Sequence, residues 1–84
     1  MTIIVYSTAS CPFCNMLKSY LTEKGKAFTE KLVDTDEAAR EEMATASGGF
    51  LGVPFTVVTK DDGTRDTIMG FDRGKLDSIL GIVG

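Results

Sequence analysis

Short β-prone runs alternate along this chain with stretches of helical periodicity. Ile3, Ile4, Val5 and Tyr6 form an apolar run that the Ser/Thr-rich segment Ser7–Ser10 ends, as expected of a buried strand feeding a loop. From Pro12 onward Phe13, Met16, Leu17, Tyr20 and Leu21 recur at i, i+3, i+4, i+7 and i+8, which predicts a helix with one apolar face, and Gly25 follows as a C′ residue. Phe28, Leu32 and Val33 mark a second strand. A strand, helix and strand in so few residues imply a right-handed parallel unit with the helix packed on the sheet.

Asp34, followed three residues later by Glu37, resembles a capping box and predicts a second helix through Met43 to about Ala46. Gly48 and Gly49 break it. Phe55–Thr59 and Arg65–Met69 then flank Asp62-Gly63, the signal of a tight antiparallel hairpin. Asp72 can cap a last helix with Leu76, Ile79, Leu80 and Val83 on one face, although Gly74 costs it about 1 kcal/mol. The predicted order is β-α-β-α-β-β-α, an α/β fold whose mixed four-stranded sheet carries helices on its faces.

With 84 residues, the chain has room for a single domain over 1–84. At this size roughly 60 to 65% of the unfolded surface can be buried, so connections must be short. Nine Lys+Arg against 12 Asp+Glu give a net charge of −3, without the dense basic patch whose counterion release drives nucleic-acid binding. The absence of histidine removes Cys-His and Ser-His-Asp nucleophile activation and imidazole-based zinc sites. The apolar run Ile3–Tyr6 is too short for a signal-peptide core or a membrane span, which points to a cytoplasmic protein with no membrane partner.

Both cysteines, Cys11 and Cys14, sit in one C-x-x-C at the junction of the first strand and first helix. With Cys11 at the N-cap and Pro12 at the first helical position, proline's fixed φ and missing N–H carry no cost. The Cys11 sulfur then faces unpaired N–H groups and the positive end of the helix dipole, an arrangement that favours a thiolate. Cys14, one turn inside, is more shielded. These positions assign Cys11 as attacking nucleophile and Cys14 as resolving thiol. As an inert staple the pair would achieve little: closing so short a loop yields roughly 2 kcal/mol, against about 3 for a 15-residue loop. A metal or cluster site needs about four ligands, so two cysteines would require a second chain or external thiols.

Cys11-Pro12-Phe13-Cys14, Gly52-Val53-Pro54 and Gly70-Phe71-Asp72 together resemble the glutaredoxins, and the similarity runs through nearly the whole chain. The resemblance implies a thioredoxin-like fold and a dithiol enzyme that reduces glutathione mixed disulfides and protein disulfides, acting as a monomer. No bound cofactor is implied, since glutathione serves as co-substrate, and no metal.

Carried over residue by residue, the resemblance makes Pro54 a cis-proline facing the cysteines. That bond would turn the Val53 backbone outward to pair with the cysteine moiety of glutathione. Gly70, Phe71 and Asp72 match the glycine-rich turn that binds the γ-glutamyl end, with free N–H groups for its carboxylate and Asp72 for its ammonium. Asp72 is also a simple N-cap. Arg40 matches a long polar side chain that reaches the glycyl carboxylate; as plain helix surface it would pair with Glu37. Phe13 replaces the commoner tyrosine and offers an apolar wall beside the sulfur, and Val53 contributes packing as a side chain.

The chain departs from the pattern at Thr8, where many glutaredoxins have lysine, at Gly52, where many have threonine, and at Phe71, where a small residue is usual. A Gly-Phe turn is also similar to the small redoxins that take electrons from thioredoxin reductase and serve ribonucleotide reductase. Their motif usually lacks proline between the cysteines.

Overall fold

The structure, a computed structural model, describes residues 1–49 and 52–81. The elements follow in the order β1 (Thr2–Ser7), α1 (Pro12–Glu23), β2 (Thr29–Leu32), α2 (Glu37–Ser47), β3 (Phe55–Thr59), β4 (Arg65–Met69) and α3 (Arg73–Leu80). The strands form one sheet in the order β2-β1-β3-β4. β1 runs parallel to β2 and antiparallel to β3, and β3 is antiparallel to β4. This is the mixed sheet that the alternation of strand and helix signals implies.

Period-two alternation along the central strands divides the core into two layers. Ile3 and Val5 of β1 and Val58 of β3 pack with Leu17, Tyr20 and Leu21 of α1 and Leu76 and Leu80 of α3. On the opposite face Tyr6, Phe55 and Val57 pack with Ala39 and Met43 of α2. The thin stripe of α2 therefore suffices, because a single buried Ala and a Met cover one half of the sheet.

Local chemistry sets the element ends. Gly25, just past the Lys24 cap of α1, has φ +70°, a conformation that suits glycine. The α2 N-cap is Asp36, accepting from Ala39 N–H at 3.2 Å, and the expected Asp34 cap is corrected accordingly. Asp34 instead accepts from Ala9 N–H at 3.3 Å, tying the loop before Cys11 to the end of β2. Gly48 ends α2 in the left-handed region. The hairpin closes at Gly63, whose N–H donates to the Lys60 carbonyl at 2.9 Å. Val33 lies beyond β2, yet its N–H donates to the Ser7 carbonyl and prolongs the ladder. Val83, expected on the last helix's apolar face, falls outside the described residues. No helix among those described is long and apolar enough to cross a membrane.

Candidate active site

The strand register gathers the site at one end of the sheet. Ser7 of β1 lies opposite Leu32 of β2, Tyr6 opposite Phe55 of β3, and Phe55 opposite Met69 of β4. The Cys11 loop, the start of α2, the Val53–Pro54 segment and the Gly70 turn therefore all adjoin that end. Open α/β sheets commonly place ligands beyond the carboxyl ends of their parallel strands.

Cys11 is the N-cap of α1, with extended backbone (φ −94°, ψ 110°) and Pro12 in the first helical turn. Its Sγ accepts the Cys14 N–H at 3.2 Å, and its own N–H donates to the Thr8 carbonyl at 3.4 Å. A sulfur held this way occupies the place of an N-cap oxygen at the start of α1. Cys11 is 9% exposed and Cys14 fully buried, so an incoming disulfide reaches Cys11 first.

Burial pushes the Cys14 thiol up to about 12, and its hydrogen bond to the Cys11 sulfur adds to the shift. The Thr8 backbone and the Lys18 ammonium act in the opposite direction. The two cysteines are free thiols, one poised as a hydrogen-bond acceptor and the other holding its proton.

The Val53–Pro54 peptide bond is cis, and Pro54 is fully buried. The Pro54 carbonyl accepts the Gly70 N–H at 2.8 Å, joining the two glutathione segments that the resemblance implies. Gly70 has φ +72°, a conformation that side-chain-bearing residues rarely adopt. Val53 packs as a side chain against the α2 layer, while neither of its backbone polar groups is hydrogen-bonded among the described residues. Phe71 packs edge-on against Tyr20, ring centres 5.9 Å apart. Asp72 caps α3 by accepting from Lys75 N–H at 3.1 Å, and its side chain remains exposed.

Other candidates are looser. Thr8 is half-buried in the Cys11 loop. Arg40 is exposed in the first turn of α2 and makes no ion pair among the described residues, so the expected pairing with Glu37 is absent. Phe13 is 60% exposed and Met16 50%, which corrects their place on the buried stripe of the first helix. Cys14 takes their inward position, since the helix turns its Cys14, Leu17 and Leu21 face to the sheet.

Periodicity misses a polar cluster beneath the cysteines. Ser7 is fully buried, and its hydroxyl donates to Glu30 Oε2 at 2.7 Å; the same oxygen meets Lys18 Nζ at 2.5 Å. Lys18, one turn after Cys14, carried a readable i+4 signal. Glu30 did not, because only the parallel register brings it beside Ser7. Among the described residues no group of three or more His, Cys, Asp or Glu is placed to hold a metal ion.

A mixed sheet with a C-x-x-C at the first helix N-terminus and a proline opening the third strand defines a thioredoxin-like redox protein. A glutaredoxin family model matches residues 3–66, and the chain belongs to the glutaredoxin family of oxidoreductases. Glutaredoxin 3 of Escherichia coli K12 is 34% identical over 77 residues, spanning 90% of this chain and 93% of the relative. Among solved structures, the thioredoxin-like protein BC3987 superposes with TM-score 0.80 at 30% identity, covering 94% of this chain and 100% of that one. The glutaredoxin-like NrdH-redoxin of Escherichia coli, described as having a thioredoxin-like activity profile, superposes with TM-score 0.71 at 25% identity, covering 100% and 97%.

Proposed function

We propose that this protein is a glutathione-dependent thiol–disulfide oxidoreductase that reduces glutathione mixed disulfides and protein disulfides in the cytoplasm. The observation that carries the reading is the Cys14 N–H bond to Cys11 Sγ at 3.2 Å, at the sheet end shared with Val53, Gly70 and Asp72. The Cys11 thiolate attacks one sulfur of a substrate disulfide. A Cys11–substrate disulfide forms, and the other substrate sulfur leaves as a thiolate and takes up a proton.

The mixed disulfide has two exits. Glutathione thiolate attacks Cys11–S–S–glutathione at the glutathione sulfur, giving glutathione disulfide and regenerating the Cys11 thiolate. Alternatively Cys14, losing its proton, displaces the substrate from Cys11 and leaves a Cys11–Cys14 disulfide, which two glutathione molecules reduce. Three features support glutathione as the electron source: Val53 backbone groups and an Arg40 guanidinium that are without partners among the described residues, and the Asp72 carboxylate at an exposed helix start.

A second reading has its own observation. Phe71, in a turn where small residues are usual for glutathione binding, packs edge-on against Tyr20, and the superposition with NrdH-redoxin spans the full chain. Under that reading thioredoxin reductase supplies the electrons, and ribonucleotide reductase is a consumer. Coupled turnover separates the two. Rapid oxidation of NADPH with glutathione and glutathione reductase supports the first reading; turnover with thioredoxin reductase alone supports the second.

A further inference from the structure

Phe13 and Met16 fall on the apolar period of α1 yet stand more than half or half exposed, on the helix that begins at Cys11. Beside Met16, α1 and the turn into α3 frame a groove of about 520 Å³, with Tyr20 and Phe71 as its apolar floor. Lys24 and Arg73 line it over the Tyr20 ring, at 5.7 and 5.0 Å from its centre. Neither cation has a carboxylate partner among the described residues. The lining thus holds two cations, Lys24 and Arg73, against one carboxylate, Glu23, and Asp77, which accepts from the Tyr20 hydroxyl, lies outside it. That local excess stands out in a chain of net charge −3.

The helix sets the spacing. At about 1.5 Å per residue, Tyr20 lies roughly 14 Å and Lys24 roughly 20 Å beyond Cys11 along the axis. An extended peptide at about 3.3 Å per residue covers those distances in roughly four and six residues.

We propose that this groove docks an extended segment of a disulfide-bearing protein substrate, with an apolar side chain against Met16, Tyr20 and Phe71 and acidic residues about four to six positions from the reacting cysteine reaching Lys24 and Arg73. The inference rests on Cys11 being the attacking thiol and is independent of which reductant recharges the protein. Apolar contact fixes the segment, and the two cations select for negative charge farther along it.

Single-turnover reduction by pre-reduced protein tests this without any reductase. The probes are disulfide-linked dimers of a short synthetic peptide whose cysteine is followed by an apolar residue and then either two aspartates or two lysines at that distance. A second pair carries the same residues before the cysteine, which covers both chain directions, and hydroxyethyl disulfide is the small-substrate control. The expected result is about a fivefold faster reaction with an acidic dimer than with its lysine counterpart at low salt, shrinking as salt is added. Lys24→Gln with Arg73→Gln abolishes the preference, and Lys24→Glu with Arg73→Glu reverses it, both at unchanged rate with hydroxyethyl disulfide. Equal rates for acidic and basic dimers in both directions, with normal reduction of hydroxyethyl disulfide, overturn the docking proposal. Failure to reduce hydroxyethyl disulfide instead overturns the Cys11 assignment beneath it.

Discussion

Lys18 Nζ and Glu30 Oε2 meet at 2.5 Å, bridging α1 and β2 beneath the cysteines, and the buried Ser7 hydroxyl donates to the same carboxylate oxygen. The Lys18 ammonium, followed by the Ser7 hydroxyl, holds the Glu30 carboxyl below the usual carboxylate range. A carboxyl lowered in the folded state adds stability that is present above the unfolded value near ~4.3 and is lost as pH falls through the lower folded value. Glu30→Gln keeps a hydrogen-bond acceptor for Ser7 but loses the ion pair. Because both side chains are nearly a third exposed, the expected cost at neutral pH is only about 0.5 to 1 kcal/mol. Urea denaturation as a function of pH should show that difference vanish on acidification.

Cys14 gives the opposite sign. Its thiol is pushed up to about 12, first by burial. The reduced folded protein therefore keeps a proton that the unfolded chain releases above ~8.5. Stability from this source is full below that value and falls as pH rises toward 12, at a limiting slope of about 1.4 kcal/mol per pH unit. Denaturation of reduced protein across about pH 8 to 10 should show the slope growing toward this limit, and Cys14→Ala should lack it.

The two cysteines should separate by substrate. Cys11→Ser abolishes reduction of every disulfide, since this histidine-free chain has no comparable nucleophile. Cys14→Ser spares glutathione mixed disulfides, which glutathione itself resolves, and slows reduction of protein disulfides more than tenfold. Parallel assays on the two substrates check it, and equal losses on both contradict the assignment.

Asp72 serves two expected roles that one pair of variants distinguishes. Asp72→Ala deletes the bond to Lys75 N–H and should cost about 1 kcal/mol. Asp72→Asn keeps the cap and removes the charge, so the melting temperature barely moves while kcat/KM for glutathione falls severalfold. Arg40→Ala, on an exposed side chain with no ion pair among the described residues, should raise the glutathione KM with little change in kcat.

Thr56 is fully buried between Pro54 and Val58, with its hydroxyl oxygen lacking a hydrogen-bond partner among the described residues. Replacing that hydroxyl by a methyl of similar size removes a desolvation cost. Thr56→Val should raise stability by about 1 kcal/mol, read as a higher midpoint in urea.

Legibility in the sequence tracked the range of each interaction. Strand and helix order, the Cys11 cap, the Gly25 and Gly48 stops and the Asp72 cap are local, and each was readable from a few neighbouring residues. Asp36 displaced Asp34 as cap because two carboxylates competed within one loop, and the loser found the Ala9 amide across the fold. Phe13 and Met16 satisfied the helical period but lost the inward face to Cys14. The stripe fixes a direction only to within a residue or so, and the sheet decides the rest. Nothing near Glu30 in the sequence marks its role, because its partners come from α1 and β1 through a register that no local pattern encodes.

The register also gives the molecule two unlike poles. Thr59 pairs with Arg65 at the sheet end opposite Pro54, so the exposed turn Asp61–Gly63 lies as far along β3 and β4 as the strands allow from the cysteines. A cysteine-free anchoring tag spliced into that turn would present the reactive face outward. Molecules attached to an electrode or bead this way would share one orientation, making the hairpin tip a natural handle for building a uniformly oriented redox surface.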